Sequence, residues 1–287
     1  MFTRPTRLRP LRASGAQGAA DLALSDPVVN ALAGARLMEM RRSMNLGQEF
    51  GVIGPEQAPD GVLWHGVNLS PISATRPALE SFGAWAASRS RRASSVVGDR
   101  AQVELLWSQL MPTWGPAVRE YRWSQPVMVA TGGGSGYVAG TARRSTGVRA
   151  AVRGEEELIY PAAVAMFREE VGSDPTAADG GRGFHARVRD LVATGRTYLV
   201  VREGRVVFKA DVGALFGPVA QIHGVWVDPE MRGRGIARTA MREVVPLIQR
   251  DHAPQVSLYV NSFNTAARAA YRAAGFVDVA ELSTILF

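Results

Sequence analysis

Hydrophobic and polar positions alternate most regularly in the second half of the chain. Over 197–202 and 206–212 the period is two, on either side of Glu203-Gly204, and that pattern predicts a hairpin. A further strand is expected over 219–227. Ahead of the hairpin, 155–171 has helical spacing with Ile159, Ala163, Met166 and Phe167 on one face. A strand over 146–152 precedes this helix, and a Gly/Asp/Pro loop over 173–183 follows it. A second helix then runs to about residue 194, where Gly195 supplies the stop. After 227 the pattern predicts a helix over 235–250, a strand over 255–261, a helix over 264–274 and a terminal strand over 277–287. This order describes an α/β (α+β) domain, a mixed sheet with helices on both faces.

The first half has weaker periodicity. A strand is expected over 7–12, and 20–42 is largely helical with Asp26-Pro27 as a turn or helix start. The segment 61–71 alternates like a strand, helical stretches over 78–89 and 100–110 flank the apolar run 93–98, and 125–131 is a strand. This half is again α/β. Gly132-Gly133-Gly134-Ser135-Gly136 and the polar residues after it have linker composition. The expected organisation is therefore a domain over 1–131, a linker over 132–146 and a domain over 147–287, and 287 residues suit two compact domains of ordinary size.

The chemistry concentrates between the strand over 219–227 and the helix after it, in Val225-Trp226-Val227-Asp228-Pro229-Glu230-Met231-Arg232-Gly233-Arg234-Gly235-Ile236-Ala237-Arg238. Glycines at 233 and 235 let the backbone curl with its N–H groups inward, and the helix brings its positive dipole end to the same place. An anionic cofactor is the expected guest. A dinucleotide fingerprint needs a third glycine, where Arg238 stands, and an acidic residue about 20 residues further on, where the next strand ends in Asn261. A Walker loop needs a lysine, and the chain's only lysine is Lys209.

Composition narrows the picture further. The absence of cysteine excludes disulfides, thiolate metal sites and a cysteine nucleophile, and four scattered histidines at 65, 185, 223 and 252 give no metal motif. Hydrophobic content is 46%, yet no apolar run reaches the roughly 18–20 residues of a membrane span, and the N-terminus lacks the apolar core of a signal peptide. A cytoplasmic protein with no membrane partner is expected. The net charge of +7 comes from arginines spread along both halves, without blocks of like charge, so no nucleic-acid partner is expected.

Arg232-x-x-Gly235-x-Ala237 resembles the R/Q-x-x-G-x-G/A pyrophosphate loop of the GNAT acyltransferase superfamily. About thirty residues on, Asn264-x-x-Ala267-x-x-x-Tyr271-x-x-x-Gly275-Phe276 is similar to that family's second signature, the helix that closes the cofactor cleft. The resemblance covers roughly 147–287. It implies a mixed, mostly antiparallel sheet flanked by helices, and acetyl-CoA (coenzyme A) as cofactor. It also implies that N–H groups from Gly233 to Ala237, Ile236 included, bind the pyrophosphate. Arg232, Arg234 and Arg238 are suited to phosphate oxygens because a guanidinium stays charged and donates in a fork.

By the same resemblance, the pantetheine arm lies between the strand ending at Val227 and the parallel strand ending at Asn261. There the backbone of Val225, Trp226 and Val227 would meet it, and the Val227 N–H would polarise the thioester carbonyl. Asn264 reads equally as a contact to the arm and as the N-cap of its helix. Tyr271, one turn beyond Ala267, stands where the family places the acid that protonates the departing thiolate, although a tyrosine on an apolar helix face also serves packing.

For the base that deprotonates the acceptor, Glu170 and His223 rank first. Glu169 adjoins Glu170, Asp211 and Lys209 read equally as an exposed ion pair, and a water relay needs no single base. The implied function is an acyl-CoA-dependent N-acyltransferase that passes acetyl directly to the amine of a small molecule or protein. Paired Glu169 and Glu170 favour a cationic acceptor. The alternative is a non-catalytic acyl-CoA-binding sensor. Monomer and homodimer both remain open.

Asp26-Pro27, Asn68-Leu69, Ser94-Ser95-Val96-Val97-Gly98, Trp114-Gly115-Pro116 and Gln125-Pro126, ahead of Phe167-x-Glu169-Glu170-Val171-Gly172, resemble an actinobacterial family of two-domain GNAT proteins whose N-terminal domain has no assigned function. The first half is then a degenerate GNAT-like domain. Its phosphate-loop position is expected at the strand-Gly98-helix junction, which lacks the Arg-x-x-Gly-x-Gly/Ala spacing.

Overall fold

The computed structural model of the chain describes residues 7–131, 145–177 and 179–287. Most of the linker expected over 132–146 lies outside the described residues. The chain packs into two compact units. The first holds residues up to Val127 together with 259–262 and 279–287, and the second holds 128–258 and 263–278. The domain expected over 147–287 thus lends two segments to the first unit.

In chain order the elements are β1 (Arg9–Pro10), α1 (Ala16–Leu24), α2 (Ala31–Met40), α3 (Leu46–Glu49), β2 (Phe50–Ile53), β3 (Gly61–His65), β4 (Asn68–Ile72), α4 (Arg76–Ala87), β5 (Ser95–Asp99), α5 (Arg100–Trp114) and β6 (Glu120–Ala130). There follow β7 (Arg149–Ala150), α6 (Glu156–Val171), α7 (Arg182–Ala193), β8 (Thr197–Arg202), β9 (Arg205–Phe216), β10 (Val219–Val227), α8 (Ile236–Asp251), β11 (Gln255–Tyr259), α9 (Thr265–Ala273) and β12 (Phe276–Leu286).

In the first unit β1 to β4 pair antiparallel in sequence order, β5 joins β4 in parallel, and β12 returns antiparallel to β5. Leu79 and Phe82 of α4 and Val103, Leu106 and Trp107 of α5 close the core over Leu63, Leu69, Val96 and Ile285. Each fully buried side chain of this size contributes roughly 1.5–3 kcal/mol.

The helical stretch expected over 20–42 is α1 and α2, with the turn expected at Asp26-Pro27 between them, where Asp26 Oδ1 accepts the Val29 N–H at 3.1 Å. Two expectations change here. The strand expected over 61–71 is the hairpin β3–β4. The phosphate-loop position also moves. A parallel pair joined through a helix is what sets such a loop, and that pair is β4–α4–β5, so the equivalent loop is Ser73-Ala74-Thr75 rather than the Gly98 junction. No glycine stands there. Thr75 Oγ1 already caps α4 by accepting the Ala78 N–H, and the Ala74 N–H donates to Gln102 Oε1 at 2.8 Å. Gly98 itself lies in β5, and Asp99 after it caps α5 by accepting the Gln102 N–H.

In the second unit β7, β8, β9 and β10 pair antiparallel and β11 runs parallel to β10. The strand expected over 146–152 shrinks to the two residues of β7. Ile159, Ala162 and Ala163 of α6 and Val188 and Val192 of α7 pack with Leu199, Val206 and Trp226. Helix α8 buries Ile236, Ala240, Met241, Val244 and Ile248, one apolar stripe at helical spacing. Among the described residues no helix is long and apolar enough to cross a membrane.

Candidate active site

Parallel pairing of β10 with β11 runs from Val219↔Gln255 to Ile222↔Leu258 and stops. On its other edge β10 shifts register against β9 between His223 and Trp226. Within that bulge Gly224 has φ +57°, and a Cβ there would stand 2.8 Å from Met166 Cε. The C-terminal end of β10 therefore parts from β11, and the backbone from Val225 to Val227 is left facing a cleft of about 850 Å³. The cleft is walled by the loop 231–235, the first turn of α8 and one face of α9. This volume lies in the usual range for small-molecule sites.

The glycine loop has the geometry its sequence predicts. Gly233 and Gly235 are both left-handed, at φ +74° and +76°, and open space lies where a Cβ on Gly233 would be. Gly235 is the N-cap of α8 and brings no side chain to cap it, so the N–H groups of the first turn and the helix dipole face the cleft. Arg238 Nε is buried without a hydrogen-bond partner among the described residues. An orphaned buried donor beside uncapped helix amides is a site for an anion, and a diphosphate-bearing cofactor fits it.

Arg232 lines the cleft and is also tied into the fold. Its Nε donates to the Val227 carbonyl at 3.0 Å and its Nη2 to Glu169 Oε2 at 2.6 Å, so it ties the loop to β10 and to the last turn of α6. Glu169 Oε1 in turn accepts from Trp226 Nε1 at 3.2 Å, while the indole packs in the α6–α7 core. Trp226 thus lines the cleft and also belongs to the core. Arg234 contacts Met231 Sδ at 3.6 Å and lines the cleft.

On the opposite wall, Asn264 Oδ1 accepts the Ala267 N–H at 3.1 Å and caps α9, and both residues line the cleft. Tyr271 also lines it, is 7% exposed and leans on Phe276. Burial, reinforced by the nearby Glu170 carboxylate, pushes its phenol above the ordinary tyrosine range. Asn261 is not in the lining, and its Oδ1 accepts from Gln125 Nε2 at 2.9 Å.

Of the two residues ranked first as base, neither lines the cleft. Glu170 is exposed, with its charge felt at Tyr271. His223 pairs through Nε2 with Gln221 Oε1 at 2.9 Å, and burial, with Arg187 nearby, brings its imidazole down to about 4, which makes it a weak base at neutral pH.

Sequence reasoning misjudged Lys209 and Asp211. Far from an exposed pair, they are buried. Lys209 Nζ donates to Asp211 Oδ2 at 2.6 Å and to the Gly224 carbonyl at 3.1 Å, and Asp211 Oδ1 accepts from Thr197 Oγ1 at 2.8 Å. The signal was present in the sequence. A single lysine inside the apolar run Val206-Val207-Phe208-Lys209-Ala210 belongs to a strand covered on both faces.

Residues 157–276 match the acetyltransferase (GNAT) family, and residues 47–153 match a domain of unknown function, DUF4081. Among solved structures, the chain is similar to a GCN5-related N-acetyltransferase from Sphaerobacter thermophilus, with 19% identity over 99% of this chain and 96% of that one at a TM-score of 0.60. It is also similar to an acetyltransferase from the GNAT family of Colwellia psychrerythraea, with 12% identity over 83% and 85% and a TM-score of 0.54. A further similar structure comes from Novosphingobium aromaticivorans, with 17% identity over 92% and 97% and a TM-score of 0.52. These likenesses establish the fold. No curated protein matches the chain. The C-terminal half carries a GNAT acetyltransferase domain behind an N-terminal DUF4081 domain, and its enzyme class is N-acetyltransferase.

Proposed function

We propose that the cleft binds acetyl-CoA and that the domain passes the acetyl group directly to an amine. The observation that carries this reading is the Arg232–Arg238 loop, where two left-handed glycines precede an uncapped helix and a buried, unpartnered guanidinium nitrogen. Bound there, acetyl-CoA supplies an acyl group already activated as a thioester.

The chain's own residues do the rest. N–H groups from Gly233 to Ala237 hold the pyrophosphate, with Arg234 and Arg238 as the cationic donors. Arg232 acts one step back, fixing the loop through Val227 and Glu169. Val225 and Val227, beyond the end of the β10–β11 pairing, offer backbone groups to the pantetheine arm, and the Val227 N–H polarises the carbonyl under attack. Asn264 caps α9 through Oδ1 and, with Ala267, lines the cleft wall along which the arm runs. Tyr271, its proton held firmly by burial, donates that proton to the leaving sulfur.

Glu170, exposed and close enough for its charge to reach Tyr271, takes the acceptor's proton directly or through water. The paired carboxylates Glu169 and Glu170, the first bound to Arg232, favour a cationic acceptor, a small molecule or a protein amine. Without cysteine, no thiol-bound intermediate competes with direct transfer. The same absence, with an acetyl-CoA substrate, fits a cytoplasmic setting. The Arg-, Ala- and Gly-rich composition fits the GC-rich coding of actinobacteria.

The test is acetyl-CoA turnover by the full chain across a panel of small-molecule and peptide amines, read as thiol release. Release that depends on the amine supports transfer. Tight acetyl-CoA binding with no release from any amine would make the domain a sensor.

A further inference from the structure

The DUF4081 domain has closed the loop that would correspond to a phosphate cradle, with Thr75 capping α4 and Gln102 taking the Ala74 N–H. It offers a different cavity, of about 190 Å³, between the β3–β4 hairpin, the C-terminal end of α4 with the residues after it, and the end of α5. Every residue that lines it falls within 47–153.

Its chemistry is one-sided. Arg89, Arg92 and His65 line the cavity and no carboxylate does. Neither arginine forms an ion pair among the described residues. Arg89 lies 4.5 Å over the Trp85 ring and donates through Nη1 to the Trp85 carbonyl at 2.9 Å. That carbonyl, in the last turn of α4, also accepts from Ser88 Oγ at 2.9 Å, and the guanidinium offsets the negative end of the helix dipole there. Arg92 is then the uncommitted cation at the mouth. The walls are flat and apolar. The His65 ring packs on Trp85 at 4.9 Å, and Trp114, Leu69, Ala86 and Ala93 also line the cavity. Trp114 is 6% exposed, and its Nε1 is buried with no hydrogen-bond partner among the described residues. Native domains seldom leave such a donor unpaired.

We propose that this cavity is a binding site for a small aromatic acid, a single planar ring carrying one carboxylate, distinct from the acetyl-CoA cleft. A volume of about 190 Å³ is slightly above the roughly 150 Å³ of an apolar cavity that accepts benzene. The ring lies against Trp85, with the carboxylate on Arg92 and within reach of Arg89. Indole walls and a guanidinium fork are the usual means of holding a planar anion. The proposal does not depend on the acyltransfer reading.

The experiment titrates the full chain with benzoate, with inorganic phosphate and with benzyl alcohol, followed by tryptophan fluorescence with saturating CoA present. Benzoate is expected to saturate with a Kd below about 1 mM, in line with the affinity a ligand of its size can reach. Phosphate, which lacks the ring, and benzyl alcohol, which lacks the charge, are each expected to bind at least about tenfold more weakly. Arg92→Glu, a change at an exposed position, is expected to weaken benzoate about tenfold while CoA binding and the urea unfolding profile of the whole chain are kept, the unchanged profile showing that the first unit is folded. A benzoate response that does not saturate, or that is the same in Arg92→Glu, overturns the site. So does phosphate binding as tightly as benzoate. Loss of CoA binding by the wild-type chain would strike the acetyl-CoA reading and leave this one standing.

Discussion

Lys209 Nζ donates to the Gly224 carbonyl at 3.1 Å inside the sheet, and so the chain's only lysine fastens the bulge that turns Val225 toward the cleft. Asp211, at 2.6 Å from the same ammonium, neutralises it. Lys209→Met should therefore cost about 3–5 kcal/mol, because it leaves Asp211 buried without its partner, whereas Lys209→Met with Asp211→Leu should recover most of that loss. Urea denaturation of both variants checks this. If the recovered double variant still shows a raised KM for acetyl-CoA, the lysine positions the bulge as well as stabilising the sheet. An unchanged KM would reduce it to a structural part.

Tyr271 is expected to act on the chemical step and not on binding. Tyr271→Phe should lower kcat by about 100-fold or more and leave acetyl-CoA affinity within about twofold. Since burial raises its pKa above the ordinary value of 10, its ionisation should cause no loss of kcat up to pH 10. Stopped-time thiol release across pH measures both. An unchanged kcat in the variant makes Tyr271 a packing residue.

Arg238→Ala removes a donor held beside the helix N-terminus. The expected result is about a tenfold rise in KM for acetyl-CoA with kcat nearly unchanged, the pattern of lost uniform binding. A matching fall in kcat would place Arg238 at the reacting end of the cofactor instead.

His223 makes stability depend on pH. Its pKa falls from the usual 6.5 to about 4 in the folded chain, so the unfolded state binds more protons between those values. The contribution of the neutral imidazole is complete above pH 6.5 and is lost as pH falls through 6.5 toward 4. The loss should be roughly 3 kcal/mol, and His223→Leu should flatten the profile. Thermal denaturation between pH 4 and 7.5 compares the two. Equal slopes would show that the imidazole titrates normally.

Local chemistry was legible in the sequence and tertiary chemistry was not. Strand 219–227 and the helices on both sides of the cleft follow from periodicity, and Gly233 and Gly235 announce a left-handed loop because other residues resist that conformation. Asn264 as a cap follows from its place before a helical run. The bond from Arg232 to Glu169 spans 63 residues and depends on how α6 meets the loop, which no spacing rule encodes. Lys209 is a different case, because the unbroken apolar run around it, Val206 to Ala210, marks a strand buried on both faces and was there to be read. The degenerate loop was misplaced for a tertiary reason. Gly98 looks like a loop residue, but strand order decides which junction serves the parallel pair, and order is a property of the sheet.

The most direct test of the account is calorimetric titration of the full chain with acetyl-CoA, beside Gly235→Glu. That substitution forces a side chain onto a left-handed backbone at φ +76° and sets a carboxylate among the N–H groups of the cradle. The account predicts micromolar binding by the wild-type chain and none by the variant. Equal binding by both, or no binding by either, would contradict it.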